Sequence, residues 1–97
     1  SGEAHLYRGI AFYRRKDYAH AEAEFASALN FGLPKELEND AQAWRYMAAL
    51  ADGACGPSRH MLEESLATSS PYFPKQEARG SAAACPLSGM RASGDAQ

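Results

Sequence analysis

Gly9 to Leu29, GIAFYRRKDYAHAEAEFASAL, is the stretch on which the fold turns. It holds two amphipathic segments joined by a tight polar turn at Lys16-Asp17. Small residues stand at Gly9, Ala21 and Ala28, and rings at Phe12, Tyr18 and Phe25. Two helices that must approach closely need this alternation, because one helix has to leave room for the rings of the other. The spacing therefore predicts a helix hairpin. Gly9 and Ala21 let its helices close, and Phe12 and Phe25 fill the gap to the next pair.

Working outward, Leu6, Gly9, Ile10 and Tyr13 recur on one face and predict a helix over 3–16. Asp17 is a natural N-cap for a helix over 18–30, which carries Ala21, Phe25, Ala28 and Leu29 on one stripe. Gly32 is placed to end it, and Pro34 suits the first position of a third helix over 35–52. That helix starts acidic (Glu36, Glu38, Asp40), and Leu37, Ala41, Trp44, Met47, Ala48 and Ala51 mark its apolar side, widened by Tyr46 and Leu50. A fourth helix is expected over 58–68, with Met61, Leu62, Ser65 and Leu66 inward. Pro71 and Pro74 then interrupt the chain. A short helix over 74–84 follows, weakened by Gly80. The Gly/Ser-rich run from Pro86 to Gln97 reads as a flexible tail.

Sliding the chain along itself by 37 residues lays Lys16 on Gly53, Phe25 on Leu62, Ala28 on Ser65, Leu29 on Leu66 and Pro34 on Pro71. This predicts a degenerate repeat of helix–turn–helix units, one over about 3–34 and a second over about 35–71, in a helical domain of 1–73 followed by 74–97. The order Gly9, Phe12, Ala21, Phe25, Ala28-Leu29 and Pro34, with Asp17-Tyr18 in the turn, resembles a tetratricopeptide repeat. Departures are His5 and Arg8 at the positions of the family's Trp and Leu, and Lys16 at that of its turn glycine. The second copy matches weakly, with Tyr46 at the Gly position and Ala49 at the aromatic one. The wording of the first copy is also similar to repeats of bacterial envelope proteins, including exopolysaccharide-export and phage-adsorption outer-membrane proteins.

The resemblance implies an all-α chain of about two stacked hairpins in a superhelix, with a C-terminal cap or tail. It implies a groove lined by the first helix of each pair. Its residues would be Glu3, Leu6, Ile10, Tyr13 and Arg14 in the first copy, and Ala43, Met47 and Leu50 in the second. Leu6 and Ile10 replace the Lys and Asn with which chaperone-binding members clamp an acidic C-terminus, so that clamp is not expected. The apolar lining suits a helix or extended peptide, or else packs against a neighbouring repeat. A repeat domain this small, starting Ser-Gly-Glu without Met, reads as an excised or processed part of a longer array, or else the tail helix or self-association covers its open end.

The function expected is non-catalytic protein–protein interaction, as a scaffold or adaptor in a bacterial envelope, periplasmic or cytoplasmic assembly. The alternatives are a chaperone-type module shielding an apolar client helix, and a self-association module. A net charge of −2 argues against nucleic acid as a partner. The sequence has no run of about 18 apolar residues for a membrane span. No GxSxG, P-loop or HExxH pattern is present, so neither enzyme nor cofactor is expected. His5, His20 and His60 are scattered and read as surface residues. The cluster Arg8, Arg14, Arg15 and Lys16 reads first as a solvated helix end, with an acidic partner as the alternative. Cys55 and Cys85 read first as free thiols, with a disulfide between the second hairpin and the tail as the alternative and no metal site.

Overall fold

The computed structural model describes residues 1–85. Among them the fold is all-α: α1 (Gly2–Arg14), α2 (Tyr18–Phe31), α3 (Lys35–Ala51), α4 (Pro57–Leu66) and α5 (Lys75–Ala84). The tail expected from Pro86 onward lies outside the described residues.

Local chemistry accounts for the helix ends. Asp17 caps α2 by accepting from the His20 backbone N–H at 3.4 Å. Gly32, at φ +100°, ends α2, and its N–H donates to the Ala28 carbonyl at 3.1 Å. Pro34 occupies the N-cap of α3 rather than its first turn. Pro74 holds the same place before α5. Pro74 is therefore the counterpart of Pro34, and the second unit closes three residues later than the match to Pro71 suggested. Lys16 sits in the α1–α2 turn at φ +64°, a conformation that costs a side-chain-bearing residue about 1–2 kcal/mol. Lys16→Gly relieves that strain but frees the unfolded chain, so a net gain of about 0.5 kcal/mol is expected, read as a higher urea midpoint.

Packing runs along the chain. α2 lies between α1 and α3, α4 lies on α3, and α5 lies on both α3 and α4. Gly9 takes the Phe25 ring: a Cβ built there would stand 2.5 Å from Phe25 Cε1. Phe25 is fully buried and stacks on Trp44 of α3, centroid to centroid 6.0 Å, bridging the two hairpins as expected. Phe12 does not bridge them; it stacks on His20 inside the first hairpin at 5.1 Å. Trp44 also meets Tyr13 and Phe73 edge-on, each at 5.4 Å. One indole thus joins α1, α2 and the α4–α5 connection. Leu62 and Leu66 of α4 are buried, but Met61 is exposed, contrary to its expected inward position.

Asp40 is buried and accepts from the Ser70 backbone N–H at 2.7 Å and from its hydroxyl at 2.6 Å. The Asn39 amide donates to the Thr68 carbonyl at 3.1 Å. The start of α3 is therefore stitched to the connection after α4. Asp40→Ala leaves two donors without an acceptor and is expected to cost about 2 kcal/mol in urea unfolding, with Asp40→Asn costing less.

The free-thiol reading of the cysteines is overturned. Cys55, in the α3–α4 turn, is bonded to Cys85 at the end of α5, with 6.0 Å between Cα atoms. The bridge closes α5 onto the second hairpin.

Candidate binding surface

The apolar groove expected from the sequence is not open. Leu6 and Met47 are buried, at 2% and 0% exposure, and Tyr13 and Leu50 are buried as well. Ile10 is half-buried against the same core, while Glu3 and Arg14 are exposed. The cause is α5. Arg14 donates from Nη1 to Glu77 Oε2 of α5 at 2.6 Å, and Tyr13 lies beside Ser81. Leu50 lines a cleft of about 450 Å³ together with Ser81, Ala84 and the Cys55–Cys85 bridge. Burial pushes the Tyr13 phenol above its ordinary pKa. The hydrogen bond to Glu77 raises the Arg14 guanidinium above its ordinary pKa. The structural positions Gly9, Ala21, Phe25 and Ala28 all lie in the interface of the first hairpin, and the last three are fully buried.

The basic cluster is largely occupied within the chain. Arg8 donates to Glu24 at 3.4 Å, Arg14 holds Glu77, and the Arg15 guanidinium lies 5.5 Å from the Phe12 ring centroid. Glu24 is correspondingly not a plain solvated charge. His5 Nδ1 stands 2.7 Å from its Oε1, and His5 also stacks on Phe31. The hydrogen bond from His5, with Arg8 adding to it, holds Glu24 below its ordinary carboxylate pKa. A depressed folded-state pKa stabilises above the unfolded value of about 4.3, and the contribution is lost as pH falls through the lower folded value. Glu24→Gln is expected to flatten the acid side of a stability–pH profile measured from pH 6 downward.

A second cleft, of about 520 Å³, runs between α4 and α5. Arg59, Glu63 and Leu66 line it from α4, and Arg79, Ala82 and Ala83 from α5. Neither arginine was singled out from the sequence. A signal was present: α1, α3 and α5 carry acids in their first turn, whereas α4 starts Pro-Ser-Arg, a cation at the positive end of its helix. Tyr7, Phe31 and Tyr72 are large exposed side chains elsewhere on the surface.

Among the described residues no group of three or more His, Cys, Asp or Glu is placed to hold a metal ion. No described helix is long and apolar enough to cross a membrane. Comparison with family models, with curated proteins and with solved structures finds no match in any of the three.

Proposed function

We propose that the chain is a non-catalytic protein–protein interaction module, a scaffold or adaptor built from tetratricopeptide-like hairpins. The observation that carries this reading is the succession of packing: α1 with α2, α2 with α3, α3 with α4, and then a fifth helix laid on α3 and α4. Stacks in which each unit contacts its neighbours leave long faces free for partners. Here α5 stands as half of a further hairpin, and the cleft between it and α4 stays open. The pattern Gly9, Phe12, Ala21, Phe25, Ala28 and Pro34 supports the family, and a bacterial envelope or secretion assembly is the setting its wording favours.

The test is selection of peptides from a random phage-displayed library on the immobilised full chain, followed by titration of the winners in solution. Saturable binding with a Kd in the micromolar range is expected. Self-association is checked by light scattering after size exclusion across a concentration series, where the chain mass is 10.5 kDa. Failure to select any peptide, together with a mass that stays monomeric, overturns the interaction reading.

A further inference from the structure

We infer that the cleft between α4 and α5 is the docking site for an acidic peptide segment of a protein partner. Arg59 and Arg79 hold a carboxylate of that segment, and an adjacent apolar side chain lies on Leu66, Ala82 and Ala83. The inference rests on the interaction reading above and names the chemistry of the partner.

Three observations carry it. First, the charges of the cleft are unmatched. Arg8 and Arg14 are paired with Glu24 and Glu77, yet Arg59 and Arg79 form no ion pair among the described residues. Glu63 lines the same cleft, one turn along α4 from Arg59, and is not an ion-pair partner of either arginine. Two cations against one anion leave the cleft positive in a chain whose net charge is −2.

Second, Arg59 Nε is shielded from water and has no hydrogen-bond acceptor among the described residues. A guanidinium nitrogen donates and does not accept, so this group has only a donor to satisfy. That Nε–H lies out of reach of an incoming ligand, so a docked carboxylate meets the guanidinium at its Nη groups, which donate to both oxygens in parallel.

Third, half of the lining is apolar. A free inorganic anion would satisfy the arginines and leave Leu66, Ala82 and Ala83 wet. A peptide with an acidic residue beside an apolar one covers both halves.

The experiment uses the full chain and peptides selected from the random library. Winners are expected to pair Asp or Glu with Leu, Ile, Met or Phe. Affinity is expected to fall about tenfold or more on Arg59→Gln or Arg79→Gln, since each removes charge-assisted hydrogen bonds. Glu63→Gln is expected to strengthen binding, and Arg59→Lys to rescue it only in part, because Lys lacks the two-pronged donor. Unchanged thermal midpoints establish that the variants remain folded. Peptides that bind the two Gln variants as tightly as the wild type overturn the inference and leave the interaction reading standing. A library that yields no binder overturns the inference, and together with a mass that stays monomeric it overturns the interaction reading as well. Inorganic phosphate or acetate binding as tightly as the peptides makes the cleft a small-anion pocket and overturns docking.

Discussion

Replacing both bridge cysteines, Cys55→Ser with Cys85→Ser, is expected to lower stability by about 3–4 kcal/mol. The bridge spans 30 residues of sequence, and removing a loop closure of that length returns roughly this much chain entropy to the unfolded state. A chain of this size has only about 5–15 kcal/mol in total, so the loss is a large share of it. The local consequence is sharper than the global one. Only Ala78 and Ala82 are deeply buried within α5, and small side chains bring little hydrophobic stabilisation. Gly80 in the middle of α5 opposes helix formation by about 1 kcal/mol relative to Ala. Without the bridge, α5 is held by this shallow contact and by the Arg14–Glu77 pair, whose partners are about half exposed.

The expected result therefore has two parts. Urea unfolding followed by Trp44 fluorescence moves to a lower midpoint, and amide exchange over 75–84 accelerates more than exchange in α2. The wild-type protein under reducing conditions should behave like the double variant. Coincident unfolding curves for oxidised and reduced protein would show that the bridge adds nothing. Loss of α5 would also bare Tyr13 and Leu50, which the helix and its bridge screen from solvent. The stability of the module, and the access to the face beneath α5, then depend on the redox state of its surroundings.

How much of this was legible in the sequence follows from the range of each interaction. The helices were legible because apolar period and caps are local: Asp17 and Gly32 mark the ends of α2 whatever lies around them. The close approach at Gly9 was legible because a hairpin fixes which faces meet, although the ring that takes its place is Phe25, expected only toward the next pair. The state of the groove at Tyr13 and Leu50 was not, because it depends on a distant helix. KQEARGSAAA has little apolar surface and a central glycine, so nothing local shows that it covers Tyr13 and Leu50. Cysteine spacing alone cannot decide pairing. Asp40 looked like one more acid favouring a helix start, and its role as a buried acceptor appears only once Ser70 is brought to it. Met61 fell on the expected inward stripe, but α4 packs on α3 and α5 in an orientation that leaves it outside.

The Gly9–Phe25 contact gives the second large effect, and its sign can be made to change. Phe25 is fully buried between Gly9 of α1 and Trp44 of α3, so Phe25→Ala empties the junction of the two hairpins and is expected to cost about 4 kcal/mol. Gly9→Ala in the otherwise unchanged protein drives a methyl into the ring, with Cε1 at 2.5 Å and Cδ1 at 2.7 Å from the built Cβ. Two packed helices cannot give way by so much, and a cost of about 1–3 kcal/mol is expected. Alanine is nevertheless the better helix former by about 1 kcal/mol. Once the ring is gone, that preference is unopposed, and Gly9→Ala should become neutral or stabilising in the Phe25→Ala background. If Phe25→Ala does not fold, Phe25→Leu, at about 1–2 kcal/mol, retains enough stability for the same cycle. Equal penalties for Gly9→Ala in both backgrounds would mean that the ring does not press on Gly9. The small residue at the centre of the stretch that decides the fold would then need another cause.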